Sequence, residues 1–347
     1  MRLRDATTEE FTDWDALVLT NPDRGELLQS TFFAEQKRAN GWVPRFMVYD
    51  GGPDRIYALY LVKKVPLIGE LWYSPKGPGA GSAETFAAVV AANETYAREH
   101  PGIFLFKLEP ELSAGTSLPP SLLPVRAIQP NVHTVIIDLA PEEETVFASF
   151  RQRGRRSVRK AEKNAVTVRE VPVEPATSAL MYALYKETSE RAGFYLRAAD
   201  YYKNFWRDAA AQGYGSLYFA YLDDEVIAGI FVTHFGTKAL YKDGASSRSY
   251  DNTGAAHLLQ WETMKALKAR GVLSYDLHTT PPADQLDDKN HPSYGLGQFK
   301  TSFSNEITSY VGTLDQAVNK RAYGLWTRLG ERAAQSLSHR LFKRIYY

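Results

Sequence analysis

The segment RQRGRRSVRKAEK, residues 151–163, carries seven Lys or Arg and a single acid. The whole chain has a formal net charge of only +1, so this positive charge is a local concentration. In a helix, six of the cations fall on or beside one face, at Arg151, Arg155, Arg156, Arg159, Lys160 and Lys163. Because Lys and Arg neutralise phosphates, the segment predicts binding of a polyanion. The alternative is a solvated helix face, although such faces normally mix both signs of charge.

A second basic stretch, residues 317–347, has seven Lys or Arg against one acid, Glu331. Apolar residues recur in it at helical spacing, at Leu325, Leu329, Ala333, Leu337 and Leu341. A basic amphipathic helix can lie on an anionic membrane or on RNA. It can also pack on its own domain, and the pattern leaves these alternatives open.

The sequence excludes several other kinds of chemistry and gives only weak signals for a phosphate-binding loop. The chain has no cysteine, which excludes disulfides, thiolate catalysis and cysteine-bound zinc. Its seven histidines show no metal-ligand spacing, so we expect neither a metal nor a bound cofactor. The glycines at 77–81 lack the Lys-Ser/Thr of a P-loop. Residues 252–255, NTGA, precede a predicted helix and only poorly resemble the phosphate loop that binds acyl-CoA.

These segments must be positioned by a folded framework, and the first half of the chain predicts one. Thr7 and Glu10 have capping-box spacing and predict a helix. The turn signal DGGPD at 50–54 separates two β-rich runs and predicts a hairpin. An Ala-rich helix is expected at 82–99, followed by a buried strand that ends at Glu109.

The second half repeats this order. Three strands are expected across residues 215–244, then a helix at 253–270 and a strand ending near His278. Both halves therefore run antiparallel strands, helix, strand, and each resembles the fold of the GCN5-related N-acetyltransferases. We predict an α/β protein of two such domains, each a mixed sheet flanked by helices. The first comprises 1–139 plus 310–347, because the tail returns to it, and the second comprises 140–309.

The N-terminus has no apolar run after its two arginines, and no stretch of eighteen apolar residues follows. The expected location is therefore the cytoplasm. Aromatic residues make up 13% of the chain, and its 21 tyrosines fit a groove for a partly polar ligand as well as they fit simple core filling.

Four segments together resemble the FemABX peptidyltransferases, which build the interpeptide bridge of peptidoglycan. They are FASFRQRGRRSVRKAEKNAVTV (148–169), ERAGFYLRAADYY (190–202), LYKDGASS (240–247) and YGLGQFKTSFSNEITSYVGTLDQAVN (294–319). The resemblance covers essentially the whole chain. No long heptad hairpin interrupts the second domain, so the chain is similar to the compact members without a coiled-coil arm. The fold that the resemblance implies, two acyltransferase-like domains, agrees with the repeat described above.

The resemblance implies a reaction. An amino acid (Gly, Ala or Ser) moves from aminoacyl-tRNA to the side-chain amine of the third stem-peptide residue (Lys or ornithine) of a peptidoglycan precursor. The precursor is UDP-MurNAc-pentapeptide or lipid II. The tRNA is then the polyanion, and an activated ester attacked by a free amine needs no protein nucleophile. The implied protein is a monomer that makes peripheral contact with the inner membrane face.

The resemblance also implies site residues. Those implied for precursor binding are Lys37, Arg197, Tyr201 and Tyr241, with Arg191 as a substitute for Arg197. Phe299 and Lys300 match a Phe-Lys pair beside the reacting ester, where a lysine can stabilise the oxyanion or the leaving ribose oxygen. Glu109 matches an acidic residue that could orient the attacking amine or take its proton, although a structural role is equally open. The six cations on or beside one face of the 151–163 segment become the tRNA-binding residues, namely Arg151, Arg155, Arg156, Arg159, Lys160 and Lys163.

Two other functions compete with this one. A CoA-dependent N-acyltransferase on the same fold would need a usable pyrophosphate loop near Asn252. An RNA-binding module without chemistry would be indifferent to muramyl precursors and to loss of Lys300.

Overall fold

The computed structural model of the chain describes residues 1–193, 196–332, 334–335 and 347. The backbone divides into two units, Met1–Val132 with Ser309–Tyr347 and His133–Thr308. The first border thus lies seven residues earlier than the predicted one at 139/140. The reason is the strand His133–Asp138, which pairs with the strand Ser274–Thr279 of the second unit.

The first unit holds seven strands and five α-helices among its described residues. The strands are β1 (Arg2–Asp5), β2 (Val43–Asp50), β3 (Ile56–Val65), β4 (Gly69–Ser74), β5 (Ile103–Leu108), β6 (Leu122–Pro124) and β14 (Leu314–Ala317). The helices are α1 (Thr8–Thr12), α2 (Trp14–Val18), α3 (Thr31–Arg38), α4 (Ala83–Glu99) and α11 (Lys320–Leu325), the last continued by a π-helical turn, Trp326–Gly330.

The first sheet has the order β1-β2-β3-β4-β5-β14-β6. Only β4 and β5 run parallel among the described pairings, because α4 carries the chain from one to the other. Helix α4 buries Phe86, Val89 and Val90 on one face of the sheet, and Trp326 is buried on the other. Strand β14 returns from the tail and pairs with β5, which confirms that the tail completes this sheet.

The second unit repeats this architecture. Its strands are β7 (His133–Asp138), β8 (Thr167–Val171), β9 (Gly215–Leu222), β10 (Glu225–Phe235), β11 (Lys238–Ser246), β12 (Ser274–Thr279) and β13 (Thr308–Ser309), the last at the border of the units. Its helices are α5 (Glu143–Ser149), α6 (Gln152–Lys163), α7 (Pro175–Ala192), α8 (Ala199–Ala211), α9 (Ala255–Ala269) and α10 (Tyr294–Lys300).

The second sheet has the order β13-β7-β12-β11-β10-β9-β8, and its parallel pair, β11 and β12, is connected through α9. Both units are therefore mixed sheets flanked by helices, which confirms the predicted fold class. The local signals that led to it are also present: Thr7 and Glu10 form a capping box, and Ser82 caps α4.

The two parallel strand pairs differ in the length over which their strands are paired. β4 and β5 are paired from Glu70 to Ser74, almost the full length of β4. β11 and β12 are paired only over Lys238–Leu240 and Ser274–Asp276. Beyond Leu240 the second sheet is therefore open between these strands, and side chains can enter the gap.

The amphipathic pattern of the tail does not describe its packing. Leu325 and Leu329 are exposed by 49% and 68%, whereas Trp326 is buried and is packed by Ala322 and Tyr323. The other three residues of the predicted stripe, Ala333, Leu337 and Leu341, lie outside the described residues. No helix in the described part of the chain is both long and apolar enough to cross a membrane.

Candidate active site

Lys300 occupies the open end of the second sheet. It is the last residue of α10 and is only 3% exposed. Its Nζ donates to the carbonyl of Thr279, 2.8 Å away at the end of β12, and lies 5.6 Å from the ring centroid of Tyr241 on β11. The structure therefore brings together Lys300 and Tyr241, which are 59 residues apart in the sequence.

Burial controls the charge of this amine. Desolvation lowers the pKa of Lys300 to about 8, and the nearby carboxylate of Asp276 opposes that shift. At pH 7 the amine is still about 90% protonated for such a pKa. A buried ammonium in a partly closed site is a strong hydrogen-bond donor, and it can also give up its proton near neutral pH.

Phe299 turns towards the core instead. Its ring meets His257 with centroids 4.9 Å apart and Phe303 at 5.4 Å. Burial, with a smaller contribution from Arg153, lowers the pKa of His257 to about 4, so this imidazole is neutral at pH 7. Phe299 therefore anchors α10 on α9, and its predicted catalytic role stays a prediction.

Tyr241 lies directly on a glycine. A Cβ added to Gly244 would lie 1.7 Å from the Tyr241 hydroxyl oxygen, far inside contact distance. Only glycine leaves room for the ring in this position, so Gly244 fixes where Tyr241 can be.

Replacing Gly244 by alanine is expected to push the Tyr241 ring aside and to lower the free energy of unfolding by about 1–3 kcal/mol. Urea denaturation measures the change. Gly102→Ala is the matched control, because a Cβ there has nothing within 4 Å. Equal stability of the Gly244 variant and the control would contradict the contact.

The predicted pair Arg197 and Tyr201 is in direct contact. The Arg197 guanidinium carbon lies 4.2 Å from the Tyr201 ring centroid, a cation–π distance. A spacing of four would put both residues on one helical turn, but α8 begins at Ala199 and Arg197 lies in the segment before it. Arg191 is separate, near the end of α7, where it donates to Ser246 Oγ at 3.3 Å.

The basic segment forms a helix, α6, as predicted. Its cations fall into two groups. Arg151 and Arg155 are half-buried: Arg151 donates to Asn305, and Arg155 to the carbonyls of Ala148 and Phe150. The other four are exposed, namely Arg156, Arg159, Lys160 and Lys163. Within the described part of the chain none of the six forms an ion pair, although Glu143, Glu144 and Glu162 line a pocket together with Arg159.

Helix α6 also covers the first turn of α9. A Cβ at Gly254, the N-cap of α9, would lie 2.2 Å from the Ser157 carbonyl oxygen. Lys160 Nζ donates to Asn252 Oδ1 at 2.9 Å, and Asn164 Nδ2 to the Thr253 carbonyl at 3.3 Å. An acyl-CoA pyrophosphate bound at this helix N-terminus would need the space that α6 fills.

Glu109 belongs to the first unit, directly after β5. It is 5% exposed and accepts three hydrogen bonds, from Tyr73 Oη at 2.5 Å, Thr313 Oγ1 at 2.5 Å and the Gln129 amide at 3.1 Å. Both carboxylate oxygens are thus engaged, although Glu109 still borders a small pocket with Lys76 and Tyr310. This arrangement suits an orienting acceptor better than a free base, and a catalytic role stays a prediction.

Lys37 lies in the last turn of α3 and close to a second lysine that the sequence reading missed. Burial and repulsion by Lys37 lower the pKa of Lys63 to about 8. Lys63 Nζ also lies 4.1 Å from the ring centroid of Trp42. Two neighbouring ammonium groups that repel each other are a site where an anion relieves the repulsion.

The sequence reading missed Arg153 as well, because it counted only one face of α6. The sequence did contain a signal for this residue, because Arg153 is the remaining cation of the basic segment 151–163. Of the predicted site residues, Lys37 and Glu109 lie in the first unit, and the others lie in the second.

Known proteins resemble this chain in sequence and in fold. A family model described as an acetyltransferase (GNAT) domain matches residues 148–286. Proteins named lipid II:glycine glycyltransferase from Staphylococcus haemolyticus and Staphylococcus aureus are each 24% identical, over 90% of this chain and 92% of theirs.

Solved structures show the same fold. The crystal structure of FemX matches with a TM-score of 0.77 at 21% identity, over 95% of this chain and all of that one (100%). The C-terminal domain of a putative lysylphosphatidylglycerol synthetase from Agrobacterium fabrum matches with a TM-score of 0.51 at 14% identity, over 92% and 96%. The predicted fold and the resemblance drawn from the sequence are both confirmed.

Proposed function

Since the chain is a homologue of the FemABX peptidyltransferases over 90% of its length, we propose that it is an aminoacyltransferase that builds the interpeptide bridge of peptidoglycan. The donor is aminoacyl-tRNA, and the acceptor is the side-chain amine of the third stem residue, Lys or ornithine. Glycine is the amino acid we favour, because the similar staphylococcal proteins are named for glycyl transfer. Lipid II is the favoured precursor for the same reason, and it brings the enzyme to the membrane surface.

The observation that carries the proposal is the cover that α6 places over the first turn of α9. It replaces a CoA phosphate site with an exposed row of cations. The polyanion that suits such a row is RNA. A donor already activated as an ester then needs only to be held and stabilised by the site.

The roles of the residues follow from their chemistry. Lys300 donates to the oxygen on which negative charge develops, either the tetrahedral oxyanion or the departing ribose oxygen. Tyr241, beside it, lines the place of the reacting ester and precursor. Arg197 and Tyr201 offer a charged, planar surface to the precursor. Lys37, with Lys63, receives its diphosphate.

A transfer assay tests this function. Transfer RNAs charged with Gly, Ala or Ser are supplied with precursors that contain Lys or ornithine, and peptide-bond formation is measured. We expect transfer with glycyl-tRNA and no heat of binding with acetyl-CoA in calorimetry. Tight acetyl-CoA binding without transfer from any charged tRNA would instead identify the CoA-dependent acyltransferase.

A further inference from the structure

Arg153, in the first turn of α6, makes three hydrogen bonds to α10 and its end. Its Nη1 donates to Gln298 Oε1 at 2.7 Å. Its Nη2 donates to the Gln298 carbonyl at 2.8 Å and to Thr301 Oγ1 at 2.6 Å. All three acceptors are neutral, so these contacts fix a geometry without neutralising the arginine.

The same two elements touch through their backbones. The amide of Arg151 donates to the Ser302 carbonyl at 3.0 Å. A Cβ at Gly154 would lie 2.3 Å from that carbonyl oxygen, so the approach requires glycine. The start of α6 and the end of α10 are therefore fastened side by side.

The residues held by Arg153 directly flank Phe299 and Lys300. Helix α10 has only seven residues, and so short a helix is marginal without tertiary support. Gln298 in turn donates from Nε2 to the Leu286 carbonyl, at 3.0 Å, which ties the preceding loop to the same point. Loss of the Arg153 contacts would thus release the segment on which Lys300 depends.

We propose that Arg153 is a positioning residue that fixes α10, and with it Lys300, on the helix that receives the donor RNA. This inference rests on the proposed function. It assigns Arg153, whose side chain is also exposed, a role different from that of Arg156, Arg159, Lys160 and Lys163, which make no hydrogen bond to α10 within the described residues. The docking helix and the reacting ammonium are then parts of one framework, so that a donor held on α6 meets Lys300 at a fixed distance.

Replacing Arg153 by lysine separates this role from charge, because lysine keeps the charge but cannot reproduce the planar fork. We expect kcat to fall about tenfold or more, with KM for charged tRNA changed less than about threefold, since a small misplacement of catalytic groups slows the chemical step. Arg98→Lys is the matched control, because Arg98 is exposed on α4 of the first unit and belongs to neither the proposed RNA surface nor the precursor site.

A second readout does not depend on activity. The Lys300 side chain is titrated by NMR in the wild type and in each variant. In the wild type its neighbours are Asp276, Tyr241 and the Thr279 carbonyl. When α10 loosens, water reaches the amine and its pKa rises towards the ordinary lysine value, which we expect for Arg153→Lys and not for Arg98→Lys.

Gln298→Leu removes the side-chain acceptor of Arg153 on α10 and should also lower kcat. This variant provides the test if Arg153→Lys does not fold. Arg153 is merely a further phosphate contact if its variant raises KM for charged tRNA and leaves kcat and the Lys300 titration unchanged. Identical behaviour of the Arg98 control would likewise overturn the proposal. If the wild type transfers no amino acid, the proposed function fails, and the titration alone still decides whether Arg153 positions Lys300.

Discussion

Replacing Lys300 by methionine is expected to slow aminoacyl transfer about 100- to 1000-fold, the usual effect of removing one preorganised oxyanion donor. The ammonium is buried and aimed at the gap between β11 and β12, so solvent cannot readily replace it. Methionine is unbranched and fills similar space, which preserves the packing of α10. Turnover at saturating charged tRNA and precursor measures the loss.

The control for this variant is Lys289→Met, which removes one exposed lysine from the loop before α10. Precursor affinity, measured by calorimetry, should change less than about threefold in both variants because the donor acts mainly in the transition state. If turnover of bound substrate survives in Lys300→Met and precursor affinity collapses, then Lys300 is a binding residue and the catalytic assignment is wrong.

The pH profile gives a further signature of Lys300. Its pKa is lowered to about 8, so the protonated form is lost as the pH rises through that value. The attacking amine of the substrate must be deprotonated, and its reactivity rises over the same range. The wild type should therefore show a bell-shaped profile, and Lys300→Met should lack the descending limb near pH 8.

Replacing Lys300 by methionine should stabilise the protein although it lowers activity. Because the pKa of Lys300 is depressed by folding, the unfolded chain binds the extra proton between about pH 8 and 10.5, and the lysine destabilises the fold below pH 8. At pH 7 the free energy of unfolding of Lys300→Met should exceed that of the wild type by up to about 3 kcal/mol, reduced by the contribution of the lost hydrogen bond to Thr279. The advantage should shrink as pH rises towards 10.5, which urea denaturation at several pH values measures.

The sequence predicted the framework better than the site. Capping residues, turn signals and alternating runs are local, so α4, the β2–β3 hairpin and the three strands β9–β11 could be placed without tertiary information. The basic segment was also correctly predicted to be a helix. The tail was also predicted to return to the first domain, and β14 does pair with β5.

The site depends on distances that no local pattern contains. The early separation of β12 from β11 buries Lys300 and thereby sets its pKa, and neither is visible in the residues around it. A spacing of four placed Arg151 and Arg155 on the predicted RNA face, whereas Arg151 donates to the Asn305 side chain and Arg155 to the carbonyls of Ala148 and Phe150. Arg197 and Tyr201 were both predicted to bind the precursor, but their mutual contact across the start of α8 was not predicted.

Reversing two charges on α6 is expected to weaken donor binding strongly. Arg156 and Lys163 are seven residues apart on one side of the helix, and within the described chain neither side chain makes a hydrogen bond or an ion pair. Arg156→Glu with Lys163→Glu should raise KM for charged tRNA at least about tenfold in low salt, because two phosphate contacts become repulsive. Precursor affinity should not change. Arg155 is unsuitable for this test, since it holds the Phe150 carbonyl.

The salt dependence distinguishes direct phosphate contacts from a general loss of charge. Neutralising the two cations as Arg156→Gln with Lys163→Gln should reduce the slope of log K against log salt by about 0.9 per lost contact to paired RNA or 0.7 to a single strand. Arg98→Gln with Arg126→Gln changes the net charge equally on exposed positions of the first unit and should leave the slope unchanged. If both pairs lower the slope alike, tRNA is attracted by the whole molecule and α6 is not its binding surface. A reduction confined to the α6 pair assigns the RNA contact to the helix that is fastened to Lys300.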